Sequence, residues 1–243
     1  MASYYIYIPA KTQVTTIAAN ILQKQGVHLS DMPNEQITHV LLPIPSFDRA
    51  GKFKCEIPFS QLLSSLPTNV TIIGGNLTEL LCNKWDLLQD PLYLAQNAYI
   101  TAHGALKLAA DRLPMTFRDA DPLVIGWGRI GKHLAQLLKA CGATVTIAAR
   151  NPDQRALATS LGYRTCDIGQ IHPVNHHLIF NTVPAMVLPE TTPGILKIDL
   201  ASKPGMVGED VLIAPGIPGK ECPESAGKLI ANTVLRYLKE ADV

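Results

Sequence analysis

The 243-residue chain is short of charge. Only 17% of its residues are charged, and the formal net charge is +1 at pH 7. Without a basic excess, neither nucleic acid nor an anionic membrane surface is expected as a partner. No apolar run reaches the roughly 18–20 residues that a membrane-spanning helix needs. The opening residues, MASYYIYIPAK, lack a basic start followed by a long apolar stretch, so no signal peptide is read and a cytoplasmic location is expected. Five cysteines (Cys55, Cys82, Cys141, Cys166 and Cys222) are scattered without a C-x-x-C pair. That usage argues for reduced thiols and against a disulfide framework. Internal repeats and low-complexity tracts are also absent. What is abundant is apolar surface: 47% hydrophobic residues are ample for a packed core.

The apolar residues fall into strands that alternate with helical segments. SYYIYI, HVLLPI (39–44) and NVTIIGG read as strands, with TTIAANILQKQG and FSQLLSSL as helices between them. TAHGALKLAADRL reads as a helix capped by Thr101. PLVIGWG, ATVTIAA, HLIFNTV, LKIDLA and VLIAPG continue the strands, with helices at 129–141 and PDQRALATSLG. PESAGKLIANTVLRYLKEADV closes the chain as a long helix with apolar residues at helical spacing. This alternation predicts an α/β protein of two Rossmann-like lobes with parallel sheets and a cleft between them. Residues 1–96, joined by the C-terminal helix 223–243 folding back on them, form the expected substrate-side domain. Residues 97–222 form the expected dinucleotide-binding domain.

The stretch LVIGWGRIGKHLA places a G-x-G-x-x-G directly after a strand and at the start of a helix, the context that motif requires. Gly126 permits the tight turn, Gly128 allows close approach of a pyrophosphate, and Gly131 lets helix pack on strand. With Trp127, Arg129 and Ile130 they form a backbone cradle at a helix amino terminus. An NAD site would carry an Asp or Glu at the end of the next strand. That strand instead ends TIAARNP, with Arg150, Asn151 and, one helical turn on, Arg155. Cations there suit a 2′-phosphate, so NADP is the expected cofactor. NTVPAM brings Asn181, Thr182, Val183 and Pro184 to the carboxyl edge of the sheet, and DLASKPG brings Ala201 there. The histidines of IHPVNHH (His172, His176, His177) contain a proline and lead into a strand, so no metal site is expected.

In this order, GWGRIG, AAR, NTVPAM, DLASKPG, APGIPG and PESAGKLIAN resemble the A subunits of dipicolinate synthase. The likeness continues upstream through LLPIPSFDRAGKF (41–53) and NAYITAHG (97–104). The resemblance implies lobes like those of the 2-hydroxyacid dehydrogenases and, as partner, a flavoprotein-like B subunit. It also implies conversion of 4-hydroxytetrahydrodipicolinate to dipicolinate in sporulating bacteria. Homo-oligomers are expected, since dehydrogenases of this build commonly associate. The chain departs from the family pattern at four places. IPAKTQ replaces a glycine-rich start, His103 stands where Glu is usual, Met206 replaces a glycine, and Glu224 replaces a lysine.

A dicarboxylate undergoing water loss and ring oxidation needs anion donors and a proton-transfer group. Ser46 at a strand end, Thr101 at a helix start, and Ser202, Lys220 and Ser225 are the expected substrate contacts. His103 is the candidate acid/base, and Lys203 the candidate clamp or proton donor. Another NADP-dependent dehydrogenase of a small carboxylic acid is the alternative. It is disfavoured because the chain after His177 has no His and a single Arg, Arg236. A non-catalytic dinucleotide-binding subunit is the remaining reading.

Overall fold

Two stretches of parallel sheet organise the computed structural model, which describes residues 4–48, 50–77, 81, 83–190 and 193–241. They belong to two compact units, one of residues 1–97 with 223–243 and one of residues 98–222.

In the first unit, β1 (Tyr5–Tyr7), β2 (His28–Ser30), β3 (His39–Leu41), β4 (Thr71–Gly74) and β5 (Lys84–Asp86) pair in the order β2-β1-β3-β4-β5. Every pairing is parallel. This is the flavodoxin-like order of a doubly wound sheet, in keeping with the Rossmann-like lobe of parallel strands expected here. The apolar run of β3 is buried throughout, as a central strand with both faces covered should be. The sheet's edge strands β2 and β5 are half-exposed HLS and KWD, which carry no apolar run and so are not legible as strands.

Helix α1 (Gln13–Lys24) starts at a reciprocal cap: Thr12 Oγ1 accepts from the Thr15 N–H at 3.1 Å, and Thr15 Oγ1 accepts from the Thr12 N–H at 2.8 Å. It ends at Gly26, whose φ of +85° only glycine adopts readily. The last helix, α7 (Pro223–Ala241), lies directly on α1. Gly227 makes that contact possible, because a Cβ there would sit 2.7 Å from Ile17. Leu229, Ile230, Val234 and Leu238 are buried along the α7 stripe, each worth about 1.5–3 kcal/mol of burial.

Helix α2 (Phe59–Ser64) is short, but α3 runs from Pro91 to Ala110. Its true cap is Asp90, whose carboxylate accepts from the Tyr93 N–H at 2.8 Å, with Pro91 in the first helical position. Asp90 also accepts from Tyr237 Oη at 2.6 Å and from Arg236 Nη2. Burial pushes the Asp90 carboxyl up, but those hydrogen bonds and the Arg236 charge outweigh it and hold it below its ordinary value. Thr101 is therefore buried in mid-helix, and α3 does not start there to offer free amides to an anion.

The second unit carries β6 (Leu123–Ile125), β7 (Thr146–Ala148), β8 (Arg164–Cys166), β9 (Leu178–Asn181), β10 (Leu196–Asp199) and β11 (Val211–Ile213). They pair in parallel in the order β11-β10-β9-β6-β7-β8. Counted from β6 this is 3-2-1-4-5-6, the order of dinucleotide-binding sheets. Helices α4 (Arg129–Ala140), α5 (Pro152–Ser160) and α6 (Ile217–Glu221) follow β6, β7 and β11. Ligands of such sheets bind where the strand order reverses, outside the carboxyl ends of β6 and β9. Among the described residues, no helix is long and apolar enough to cross a membrane.

Candidate functional site

At the end of β6 the chain turns sharply through Gly126, whose φ is +102°. A side chain there would strike Thr182 and Val183, so the turn is glycine for both its dihedral and its neighbours. Thr182 locks the other side: its N–H and Oγ1 both donate to the Ile125 carbonyl at 2.9 Å. A Cβ on Gly131 would collide with the Gly126 carbonyl oxygen, which sets how closely α4 packs against the turn. Gly128 differs from both, because a Cβ there would meet nothing within 4 Å.

Gly128 is also the N-cap of α4, and no side chain caps that helix. Thr12 and Asn151 cap α1 and α5 with their own oxygens, so α4 is the exception among these three. The first-turn N–H groups of Arg129, Ile130 and Gly131 have no carbonyl one turn earlier to bond. An anion at Gly128 would meet those groups and the positive end of the helix.

A cavity of about 340 Å³ opens at this point. Its floor is the turn Gly126–Gly128, and Thr182, Val183 and Pro184 form one wall. Ala149, Arg150 and Asn151 at the end of β7 form the opposite wall, continued by Gln154 and Ile168. Eight of the residues expected to hold a dinucleotide thus share one cavity. Arg150 is exposed there. The residues fit the group: an open position at Gly128, uncapped helical amides, and a cation at the far wall. A larger hollow of about 580 Å³ lies between α1 and α7 on the helical layer of the first unit, away from any strand end.

Several expected ligands, some of them lining the cavity, spend their side chains on holding the site together. Arg155, expected to meet a 2′-phosphate, instead donates from its Nη1 to the Ala149 carbonyl (2.6 Å), the Arg150 carbonyl (2.8 Å) and Asp167 Oδ2 (2.7 Å). Asn151 spends its side-chain oxygen capping α5, at 2.7 Å from the Asp153 N–H. The indole of Trp127 is buried in the core against Tyr163, and its Nε1 has no hydrogen-bond partner among the described residues. Asn181 is fully buried and donates to both oxygens of Asp199 at 3.1 Å. Asp199, a residue that sequence reasoning missed, also accepts from the N–H groups of Ala201 (3.0 Å), Gly205 (2.7 Å) and Met206 (3.2 Å). Ala201 is buried within that loop. Gly205 lies so close to the Ala185 carbonyl that only glycine fits, which joins the NTVPAM and DLASKPG loops.

The expected substrate contacts are divided between the two units. Ser46 is fully buried; its Oγ donates to the Pro43 carbonyl at 2.9 Å and accepts from the Gly75 N–H at 3.1 Å. Its hydroxyl ties β3 to β4 and is not a free donor. Met206 is 4% exposed and fills the core beside Leu188, so that departure repacks the interior and faces no ligand. Ser202 and Lys203 are exposed on the loop that Asp199 holds. His103 is exposed, not in a first turn but in the fourth turn of α3, with its ring 6.2 Å from Tyr99; Tyr99 in turn lies 5.6 Å from His133. Helix α6 packs on α3 at Gly104, where a Cβ would lie 3.0 Å from Glu221, so exposed Lys220 sits on an element that touches the turn after His103. Ser225 and Glu224 are exposed in the first turn of α7 in the first unit. His176 and His177 direct their Nδ1 atoms to the Asp121 and Ala120 carbonyls at 2.9 and 3.2 Å. Among the described residues no group of three His, Cys, Asp or Glu is arranged to hold a metal.

Strand order, glycine turn and uncapped helix define the second unit as a Rossmann fold. No family model matches the chain. By sequence and by fold, however, it is similar to the A subunits of dipicolinate synthase. It is 28% identical over 244 residues to the one from Bacillus subtilis (strain 168), covering 88% of this chain and 82% of the other. The crystal structure of the dipicolinate synthase A subunit from Bacillus halodurans superposes with a TM-score of 0.83 at 22% identity, covering 97% of each chain. The NAD-complexed D-isomer specific 2-hydroxyacid dehydrogenase from Lactobacillus delbrueckii ssp. bulgaricus shares the fold at a TM-score of 0.54 and 14% identity, covering 99% of this chain and 97% of the other.

Proposed function

We propose that this chain is the NADP-binding subunit of a dipicolinate-synthase-type oxidoreductase. Its substrate is 4-hydroxytetrahydrodipicolinate, its product dipicolinate, and its partner a flavoprotein-like B subunit. The observation that carries the reading is the uncapped α4 amino terminus facing a cavity whose far wall ends in Arg150. The likeness, along most of the chain, to the A subunit of dipicolinate synthase supplies the substrate class. The domain assignment follows: residues 97–222 hold the dinucleotide, and residues 1–96 with 223–243 contribute to the substrate side.

Two changes separate substrate from product: loss of one water, then removal of a hydride and a proton as the ring becomes aromatic. A bound nicotinamide supplies the hydride acceptor. The amides of Gly128–Gly131 hold the pyrophosphate, and Arg150 holds the 2′-phosphate. Lys203 and Lys220 supply positive charge for the two substrate carboxylates, and Ser202 and Ser225 donate to them. His103 takes the ring proton through its imidazole, a side chain suited to proton transfer. The enzyme acts in the cytoplasm and as a homo-oligomer.

The test uses freshly generated 4-hydroxytetrahydrodipicolinate and NADP⁺, with and without a B-type partner, while NADPH and dipicolinate are followed together. Both products rising in step is the expected result. NADP binding with neither product, even with the partner present, would leave a nucleotide-binding protein with another substrate.

A further inference from the structure

Arg155 and Asp167 stand beside the cofactor cavity without lining it. The Arg155 Nη1 reaches the last two carbonyls of the β7 exit and the Asp167 carboxylate at once. Ala149 and Arg150, which own those carbonyls, line the cavity, and so does Ile168, the residue after Asp167. One guanidinium therefore joins the exit of β7 to the exit of β8 and fixes two walls. The other Asp167 oxygen is held as well, accepting from the Gly169 N–H at 2.9 Å. The pair is only partly screened, with side-chain exposures of 25% for Arg155 and 37% for Asp167.

The charge at this place matters for cofactor choice. NAD sites hold the ribose with a carboxylate at the end of the second strand. Here a carboxylate stands one strand further along, next to the wall that carries Arg150, and Arg155 neutralises it. An unpaired Asp167 beside that wall would repel a 2′-phosphate, like charge against like. We propose that Arg155 is a specificity-determining positioning residue, which cancels the Asp167 charge and fixes the backbone of Arg150 so that the cavity prefers the 2′-phosphorylated dinucleotide. The proposal rests on the dinucleotide reading of this cavity.

Calorimetric titration of NADP and NAD into the full chain tests it, with wild type, Arg155→Gln, Asp167→Asn and the double variant compared. Arg155→Gln is expected to weaken NADP about fivefold while changing NAD less than about twofold, as suits a partly exposed charge pair. Asp167→Asn alone should leave NADP within about twofold, and the double variant should recover most of the lost preference. The NADP deficit of Arg155→Gln should shrink as salt rises. A double variant as weak for NADP as Arg155→Gln, or equal losses for both dinucleotides, would overturn the proposal. Should Arg155→Gln fail to fold, Arg155→Lys keeps the charge and is expected to keep the NADP preference; its loss would count against the proposal. Wild-type protein that binds neither dinucleotide would overturn the cavity reading itself.

Discussion

The side-chain amide of Asn181 stands 3.1 Å from both carboxylate oxygens of Asp199, and both residues are buried at the ends of neighbouring strands. Asp199 collects three further backbone N–H bonds, so it is the knot from which the DLASKPG loop hangs. Asp199→Ala would leave four buried donors without their acceptor, and a cost of about 3–5 kcal/mol is expected. Urea unfolding measures it, and a loss below about 1 kcal/mol would show that the loop holds itself.

The same substitution should behave oppositely at two positions of the glycine turn. Gly131→Ala drives a methyl into the Gly126 carbonyl and should destabilise the fold by about 2 kcal/mol or more, despite alanine's better helix propensity. Gly128→Ala meets open space and should leave the melting temperature nearly unchanged while weakening dinucleotide binding. Thermal denaturation with parallel titration separates the two. Unchanged affinity in Gly128→Ala would remove the pyrophosphate from this turn.

His39 supplies an acid sensitivity in the first unit. Its ring is buried between Tyr4 and Trp85, 2.8 Å from Thr38 Oγ1, and burial pushes its pKa down to about 4. The unfolded chain takes up that proton at about pH 6.5, whereas the folded chain resists it until about pH 4. Stability should therefore fall as pH drops across that window, by about 2–3 kcal/mol in all. His39→Phe keeps an aromatic ring and should flatten the slope between pH 6.5 and 4. A slope that survives in the variant assigns it to other groups.

Local chemistry explains which features the sequence revealed. The glycine turn was legible because backbone dihedral, helix start and strand end fall within six residues. Central strands such as β3 and β9 announced themselves as apolar runs, whereas the edge strands β2, β5 and β8 bury too little to show one. The start of α3 lies ten residues before the segment that reads as a helix: Asp90 and Pro91 form its cap signal, but Leu92–Ile100 carries no charged residue to mark a polar face at helical spacing. The supporting residues of the site were illegible for a different reason. Asp199 meets Asn181 across 18 residues and Asp167 meets Arg155 across 12, and pairings at that range depend on strand order. Ser46 shows the converse error: a hydroxyl at a strand end suggested a ligand donor, but the fold spends it between Pro43 and Gly75.

Whether this cavity holds a 2′-phosphorylated dinucleotide turns on Arg150, the cation left at its wall once Arg155 is committed to Asp167. The direct measurement is titration of NADP and NAD into wild type and Arg150→Ala. The expected result is tighter NADP binding by wild type and a loss of about 1–3 kcal/mol for NADP in the variant, with NAD little affected. Equal losses for the two dinucleotides, or no loss for either, would contradict the assignment.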